Sequence, residues 1–293
     1  MSFVISSPKD IEKLALFLEE MNSKRETHIG YCGEQKQQIY ATLISDFSDL
    51  DLARSFVIAY VKDEIIGALG LDIDEESKSA EVWGPFIKNR SEYLGLADEL
   101  WEKVIELSRI EMNEFSFFVN EENSFAKDFA INKGAVNKGN YFVLKAFRND
   151  LKTVDLTQIE TYSLLYKNPF TNLHDTSFPN TYYSASEIVY RINDHNQLLV
   201  MLDNERKLTG YVYVEGDPEH KEGSIEYIAV IAGNRKQGIG TKLVRAALAH
   251  LFSFEEIEEI TLSVAKNNER AINLYKAAGF KEVHELTYYV WNK

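Results

Sequence analysis

A basic residue and two glycines stand where a buried strand, predicted over 225–230, gives way to a helix. The run reads Arg235-Lys236-Gln237-Gly238-Ile239-Gly240. The first amide groups of a helix have no partner within the helix, and the helix dipole favours negative charge there. Glycines let the backbone approach an anion closely, so the run predicts a phosphate-binding turn. The spacing R-x-x-G-x-G is weak by itself, since the same glycines could simply turn a strand into a helix.

A second motif follows that helix and makes the first more specific. It reads Asn268-x-x-Ala271-x-x-Leu274-Tyr275-x-x-x-Gly279-Phe280. The two motifs, in this order and separated by a helix and a predicted strand over 260–264, resemble those of the GNAT family of acetyl-CoA-dependent N-acetyltransferases. The resemblance extends from the central strand to the end of the second motif.

The resemblance implies that acetyl-CoA is the co-substrate and that three parts of the chain hold it. The backbone of Ile228 and Val230 is expected to pair with the pantetheine arm, as an added strand pairs with a sheet edge. Asn268 is expected to hydrogen-bond the same arm, although it could equally be a plain helix N-cap, and one role does not exclude the other. The residues expected to hold the pyrophosphate are Arg235, Lys236, Gln237, Gly238, Ile239, Gly240 and Thr241.

Tyr275 is the residue that the resemblance favours as general acid, protonating the thiolate of CoA as it leaves. A thiol has a pKa of about 8.5 and a phenol of about 10, so this proton transfer is roughly balanced and depends on placement. The alternative is that Tyr275 is only a packed aromatic side chain of its helix.

An alkylamine with a pKa of about 10.4 costs about 4–5 kcal/mol to deprotonate at pH 7. The resemblance implies that a carboxylate on the central strand, acting directly or through water, meets this cost. Glu226 is the only acidic residue within 225–230. Strand alternation puts it on the same face as Ile228 and Val230. It is therefore a candidate base or substrate anchor, and an ordinary edge carboxylate is the alternative.

The acceptor pocket is expected in the aromatic segment 168–183, between helices predicted over 156–166 and 185–192. In GNAT enzymes the segment between the first two helices commonly lines this pocket, and here its composition is typical of a loop. By resemblance, the candidates for substrate contact are Phe170, His174, Phe178, Tyr182 and Tyr183. The alternative is that these rings pin a loop to the core.

An internal repeat predicts two copies of one α/β unit. Gly67 and Gly210 lie 143 residues apart, as do Gly95 and Gly238. Asn123 precedes Asn268 by 145 residues, so one two-residue length change relates the copies. The predicted fold class is α/β, with mixed and mostly antiparallel sheets in two tandem GNAT-like domains covering residues 1–150 and 151–293.

The first copy lacks the groups that would hold and use the cofactor. Glu92 stands at the position of Arg235, and Ala130 at that of Tyr275. Gly84-Pro85 falls where Tyr227-Ile228 sit in the second copy, and proline has no amide donor. The first domain is therefore predicted to be degenerate and to support the second, with residual acyl-CoA binding through Asn123 as the alternative.

Composition limits the remaining classes of function. The net charge of −14 argues against nucleic acid and modestly favours a cationic acceptor such as an amine, although solubility alone would also explain it. No apolar run could span a bilayer, no secretion signal is evident, and Cys32 stands alone, so we expect a cytoplasmic protein without membrane contact. The histidines at 195, 220, 250 and 284 show no metal-ligand spacing, so no metal is expected.

Together these observations predict an N-acetyltransferase that joins an acetyl group to a small primary amine, with a peptide or protein amine as the next choice of acceptor. We expect direct attack by the amine while both substrates are bound, in a monomer or homodimer. The alternative from another class is a non-catalytic module that binds or senses acyl-CoA. Such a module would need the phosphate turn but neither Tyr275 nor Glu226.

Overall fold

The computed structural model of the chain describes residues 3–151, 153 and 155–293, which form two compact units. Unit 1 consists of Met1–Tyr141 together with His284–Lys293, and unit 2 of Phe142–Val283. The sequence suggested a division after residue 150, with the second domain running to the end of the chain. The compact units divide instead between Tyr141 and Phe142, and the chain's last strand belongs mainly to unit 1.

Both units contain helices and strands. The described residues form the helices α1 Ile11–Asn22, α2 Lys36–Ser45, α3 Leu52–Ser55, α4 Leu96–Ser108, α5 Ser124–Asn132, α6 Lys167–Ser177, α7 Ala185–Arg191, α8 Ile239–Leu251 and α9 Glu269–Ala278. The strands are β1 Val4–Ser6, β2 Phe56–Val61, β3 Glu64–Asp74, β4 Ser79–Ile87, β5 Glu114–Asn120, β6 Val136–Phe147, β7 Ile159–Thr161, β8 Gln197–Leu202, β9 Leu208–Asp217, β10 Glu222–Val230, β11 Glu259–Ala265 and β12 Lys281–Asn292.

In unit 1 a mostly antiparallel sheet is covered by helices on both faces. Its strand order is β1-β2-β3-β4-β5-β12. Strand alternation sends Phe56 and Ile58 towards α1 and α2, and their neighbour Val57 towards α4 and α5. All three of these side chains are fully buried. Two apolar layers, one on each face of the sheet, hold this unit together.

One pair of strands in this sheet is parallel and diverges. The strands β4 and β5 pair only at Ser79–Glu81 with Glu114–Ser116. Beyond that point a segment of the α1–α2 connection lies along β5. Ile29 forms a bridge with Val119, and the Gly30 amide donates to the Phe118 carbonyl at 2.6 Å. Where β4 diverges from β5, the α1–α2 connection therefore supplies the hydrogen bonds to that edge of β5.

In unit 2 the helices again cover both faces of a sheet, here with the strand order β10-β9-β8-β7. The helices α6 and α7 pack on the face that presents Tyr211, and α8 packs on the face that presents Val212. The strand β11 neighbours β6, of which residues 142–147 belong to unit 2. The predicted α/β class, with two copies of one unit, is confirmed.

Two sequence interpretations in unit 2 were wrong. Residues 156–166 were predicted to be helical, yet they contain β7, which pairs with the edge of β8. The segment 168–183 was predicted to be loop-like, yet its first part is α6. Pro169 stands in the first turn of α6, where a missing amide removes no helical hydrogen bond. A capping box of Ser184 and Glu187 starts α7, which begins where the sequence predicted a helix.

None of the helices in the described ranges has the length and apolar character that crossing a bilayer requires.

Candidate functional site

The predicted phosphate turn lies between β10 and α8. Gly238 is the N-cap of α8 and has a φ of 79°, the left-handed conformation that favours glycine. A Cβ built at Gly238 would meet no atom within 4 Å, so the turn is open on this side. The first turn of α8 contains no acidic residue. Its free amide groups and the positive end of the helix dipole therefore meet no competing carboxylate from the helix itself.

Two contacts fix the turn against the rest of unit 2. The Arg235 side chain donates from Nε to the carbonyl of Val230 at 3.0 Å, which ties the turn to the end of β10. A Cβ at Gly240 would lie 3.0 Å from the Leu274 Cδ1 atom, so the glycine allows α8 to lie close to α9. The turn and the second motif are thereby brought together.

Ile228 and Val230 direct their main-chain groups away from the sheet. The amide of Ile231 donates to the carbonyl of Thr209 at 2.9 Å, so residues 231 and 229 face β9. Main-chain direction alternates along a strand, and Ile228 and Val230 therefore face the opposite edge of β10. No strand among the described residues pairs with that edge. An extended chain could add to it there.

The second motif forms the start and middle of α9. Asn268 is the N-cap, and its side-chain oxygen accepts from the Ala271 amide at 3.2 Å. Tyr275 is half-buried with its ring 5.5 Å from that of Phe280. Within the described part of the chain the Tyr275 hydroxyl has no hydrogen-bond partner. Burial raises the pKa of Tyr275, so the phenol stays protonated at neutral pH.

Glu226 lies at an irregularity of β10. The register with β9 shifts between Ile225 and Tyr227, which leaves Glu226 at a β-bulge. Its carboxylate accepts a hydrogen bond from the Tyr182 hydroxyl. Burial, and after it this carboxylate, raise the pKa of Tyr182. Glu226 thus meets the segment between α6 and α7, and Tyr182 itself is 65% exposed.

The aromatic candidates fall into two groups. Phe170 and His174 belong to the core on the α6 face. The His174 ring bonds the Tyr211 hydroxyl through Nδ1 at 2.6 Å and the Tyr183 carbonyl through Nε2 at 2.9 Å. These contacts fix α6 to the sheet and to the segment before α7. Contact of Phe170 or His174 with an acceptor stays a prediction.

The other aromatic candidates surround a residue that the sequence did not single out. The rings of Phe178 and Tyr182 lie 5.1 and 5.5 Å from the ring of Tyr227. The Tyr227 hydroxyl accepts from the Tyr183 amide at 3.2 Å and hydrogen-bonds Thr181. Tyr227 therefore positions the segment that meets Glu226. The feature of the sequence that could have identified Tyr227 is its position next to Glu226 on the central strand.

Comparisons with known proteins find likeness in sequence over unit 2 and in fold over the whole chain. Residues 167–280 match the model of the acetyltransferase (GNAT) family. An N-alpha-acetyltransferase of Sulfurisphaera tokodaii is 44% identical over 69 residues, which are 24% of this chain and 41% of that protein. The chain spans about half the length of the curated relatives it matches.

Two solved structures resemble the whole chain in fold. A GCN5-related N-acetyltransferase from Sphaerobacter thermophilus has a TM-score of 0.67 and 15% identity, over 99% of this chain and 95% of that one. A tandem GNAT protein from the clavulanic acid biosynthesis pathway has a TM-score of 0.60 and 18% identity, over 99% of this chain and 98% of that one. At these identities the likeness concerns the fold alone.

Proposed function

This chain belongs, through residues 167–280, to the GNAT family of acetyltransferases, and we propose that unit 2 transfers an acetyl group from acetyl-CoA to a small primary amine. The single observation that carries the proposal is the outer edge of β10, with which no strand of the described residues pairs. Ile228 and Val230 turn their main-chain groups to that edge, at the end of which the open glycine turn begins. An extended arm ending in a pyrophosphate fits such an edge followed by such a turn.

The chain's own groups divide the binding of acetyl-CoA among them. The free amides at the start of α8, with the side chains of Arg235 and Lys236, would hold the pyrophosphate. Ile228 and Val230 would hold the pantetheine arm through their main chain. The Asn268 side-chain nitrogen would donate to the same arm while its oxygen caps α9. The bound thioester supplies a carbonyl carbon that an amine can attack.

Tyr275 would act at the sulfur. As the amine nitrogen bonds to the carbonyl carbon and the carbon–sulfur bond breaks, the electron pair leaves with sulfur. The Tyr275 hydroxyl gives its proton to that thiolate. Burial raises the pKa of Tyr275, so the side chain holds its proton at neutral pH, while the same shift makes transfer to a free thiolate less favourable and leaves placement at the sulfur to decide the step.

Glu226 would act at the amine. Its carboxylate would attract the ammonium form of the acceptor and take the proton that the nitrogen loses, directly or through water. The hydrogen bond from Tyr182 would orient this carboxylate. The relative from Sulfurisphaera tokodaii is named for α-amines, so peptides are the alternative acceptors to test.

Unit 1 is proposed to be the copy that binds no acyl-CoA. The Asn123 amide, which corresponds to that of Asn268, already donates to the His28 carbonyl at 3.2 Å. Asp98 and Glu99 occupy the first turn of α4, where an anion would otherwise be favoured. Both features favour a structural role for unit 1 over acyl-CoA binding.

Calorimetric titration of the full chain with acetyl-CoA, followed by a screen of amines and short peptides for thiol release, tests the proposal. We expect one acetyl-CoA per chain and thiol release that depends on a small primary amine. Binding without release for any acceptor would favour the acyl-CoA sensor. Absence of binding would contradict both functions.

A further inference from the structure

Two histidines and a glutamate converge in unit 1, which contains none of the residues proposed for acetyl transfer. The Nε2 atom of His284 lies 2.6 Å from Glu34 Oε1, and that of His28 lies 3.6 Å from the same oxygen. The two imidazole rings stack with their centroids 3.8 Å apart. One donor atom of each residue lies within 4.8 Å of the others. The three residues are called the His–His–Glu cluster below.

The backbone that carries the cluster is held firmly. The His28 carbonyl accepts from the Asn123 side chain and from the Asn120 amide, each at 3.2 Å. The fully buried Asn22 side chain accepts from the Ile29 amide at 2.8 Å and donates to the carbonyls of Cys32 and Gly33. The connection between α1 and α2 is therefore pinned on both sides of His28.

The geometry points to a site for one divalent transition-metal ion, and Zn²⁺ is the ion that best suits two imidazoles and one carboxylate. Ligands about 2.0–2.1 Å from Zn²⁺ in a tetrahedron are about 3.3 Å apart. The two separations from Glu34 bracket that value, and the two rings must turn out of their stacked arrangement for both Nε2 atoms to face one ion. Both histidines are nearly buried, whereas the Glu34 side chain is 28% exposed and leaves an entry path.

Asn120 controls which nitrogen of His284 carries the ring proton. Its side-chain nitrogen donates to His284 Nδ1 at 3.0 Å, and its oxygen accepts from the Glu122 amide at 3.0 Å. This arrangement keeps the proton of His284 on Nε2, directed at Glu34. Metal binding needs that proton on Nδ1 instead, so the Asn120 amide must turn until its oxygen accepts from Nδ1, at the cost of its bond from the Glu122 amide. An aspartate at position 120 could accept from both His284 Nδ1 and the Glu122 amide, as carboxylates do behind metal-bound histidines.

A metal here would join the start of the chain's last strand to the α1–α2 connection. His284 is separated from Glu34 by 250 residues in sequence. An ion that bridges them would be bound by folded unit 1 only, so it would stabilise that fold. The site needs none of the groups proposed to bind acetyl-CoA, and its test does not depend on acetyl transfer.

The test uses the full chain without an affinity tag, stripped of metal with a chelator and titrated with Zn²⁺ alone by calorimetry. Elemental analysis after gel filtration counts the bound metal. We expect one Zn²⁺ per chain and a higher thermal midpoint, and Mg²⁺ at the same concentration should produce neither. Glu34→Gln and His284→Gln should each weaken Zn²⁺ binding at least about tenfold. His220→Gln removes an exposed histidine paired with Asp217 and should leave binding unchanged.

Two further variants distinguish Zn²⁺ bound at the cluster from Zn²⁺ bound by neighbouring groups of unit 1. Asn120→Asp should tighten Zn²⁺ binding by about 10- to 100-fold, a gain that a merely structural residue would not give. Cys32→Ser should retain binding, since the buried Cys32 is not among the three residues whose donor atoms converge. Near-ultraviolet circular dichroism checks that each variant is folded. The proposal fails if the wild type binds no stoichiometric Zn²⁺, or if Glu34→Gln and His284→Gln bind it as tightly as His220→Gln.

Discussion

The two units use the same backbone device at the start of equivalent helices but place different chemical groups around it. Gly95 begins α4 with a φ of 81°, and Gly238 begins α8 with a φ of 79°. Asn123 and Asn268 each cap the following helix by accepting from the amide three residues on. The turn and cap that define the repeat are thus shared.

The groups that would face acetyl-CoA differ. In α4 the first turn carries Asp98 and Glu99, whereas the first turn of α8 carries no acid. Asn123 is 1% exposed and its side chain also bonds His28, whereas Asn268 is exposed. Repeated units can therefore keep the local geometry that folding requires while the ligand-facing groups diverge. The predictions below test this difference, from the largest expected effect to the smallest.

Tyr275→Phe should lower kcat by about 10²–10⁴-fold, because it removes the proposed acid. The dissociation constant for acetyl-CoA should stay nearly unchanged, since the ring and its packing on Phe280 remain. The alkaline limb of kcat attributed to this phenol should lie above pH about 10, because burial raises the pKa of Tyr275, and it should vanish in the variant. Tyr190→Phe, on the exposed side of α7, is the matched control. Turnover equal to that control would remove the acid role.

Gly238→Ala and Gly95→Ala should each cost about 1–3 kcal/mol of stability, because alanine is strained at these positive φ angles. Only Gly238→Ala should also weaken acetyl-CoA binding. Thermal unfolding and calorimetry measure the two effects. Equal loss of acetyl-CoA affinity in both variants would mean that unit 1 also binds the cofactor.

Asn268→Ala and Asn123→Ala each remove a helix cap, worth about 0.5–2 kcal/mol. The loss of stability should be larger for Asn123, since its nitrogen also bonds the buried His28 carbonyl. Acetyl-CoA affinity should fall only for Asn268→Ala. Reduced affinity in Asn123→Ala with unit 2 intact would contradict the proposed division between the units.

Tyr182→Phe should raise the KM for the amine by up to about tenfold, since a hydrogen bond to Glu226 is worth about 0.5–1.5 kcal/mol. The affinity for acetyl-CoA should not change, because Tyr182 lies outside the turn and α9. At the position of Glu226 unit 1 has the buried Trp83, so this contact belongs to unit 2 alone. Steady-state kinetics with a fixed acetyl-CoA concentration measure the effect, and an unchanged KM would exclude Tyr182 from the acceptor site.

The sequence by itself determined the features that depend on neighbours along the chain. Glycine at 238 predicts a helix start because few other residues adopt its φ, and asparagine at 268 predicts a cap because its side chain reaches an amide three residues on. The repeat followed from the spacing of such residues. These contacts span a few positions, so their residue types carry the information.

The tertiary structure decided what depends on register and on distant segments. The main-chain groups of Ile228 and Val230 point away from the sheet because of the register with β9. Glu226 has its position because that register contains a bulge. The Asn123 side chain donates to the His28 carbonyl, and His284 hydrogen-bonds Glu34. The residues of each pair lie far apart in sequence. No local pattern encodes such contacts, because they form only when burial of apolar faces brings separate elements together.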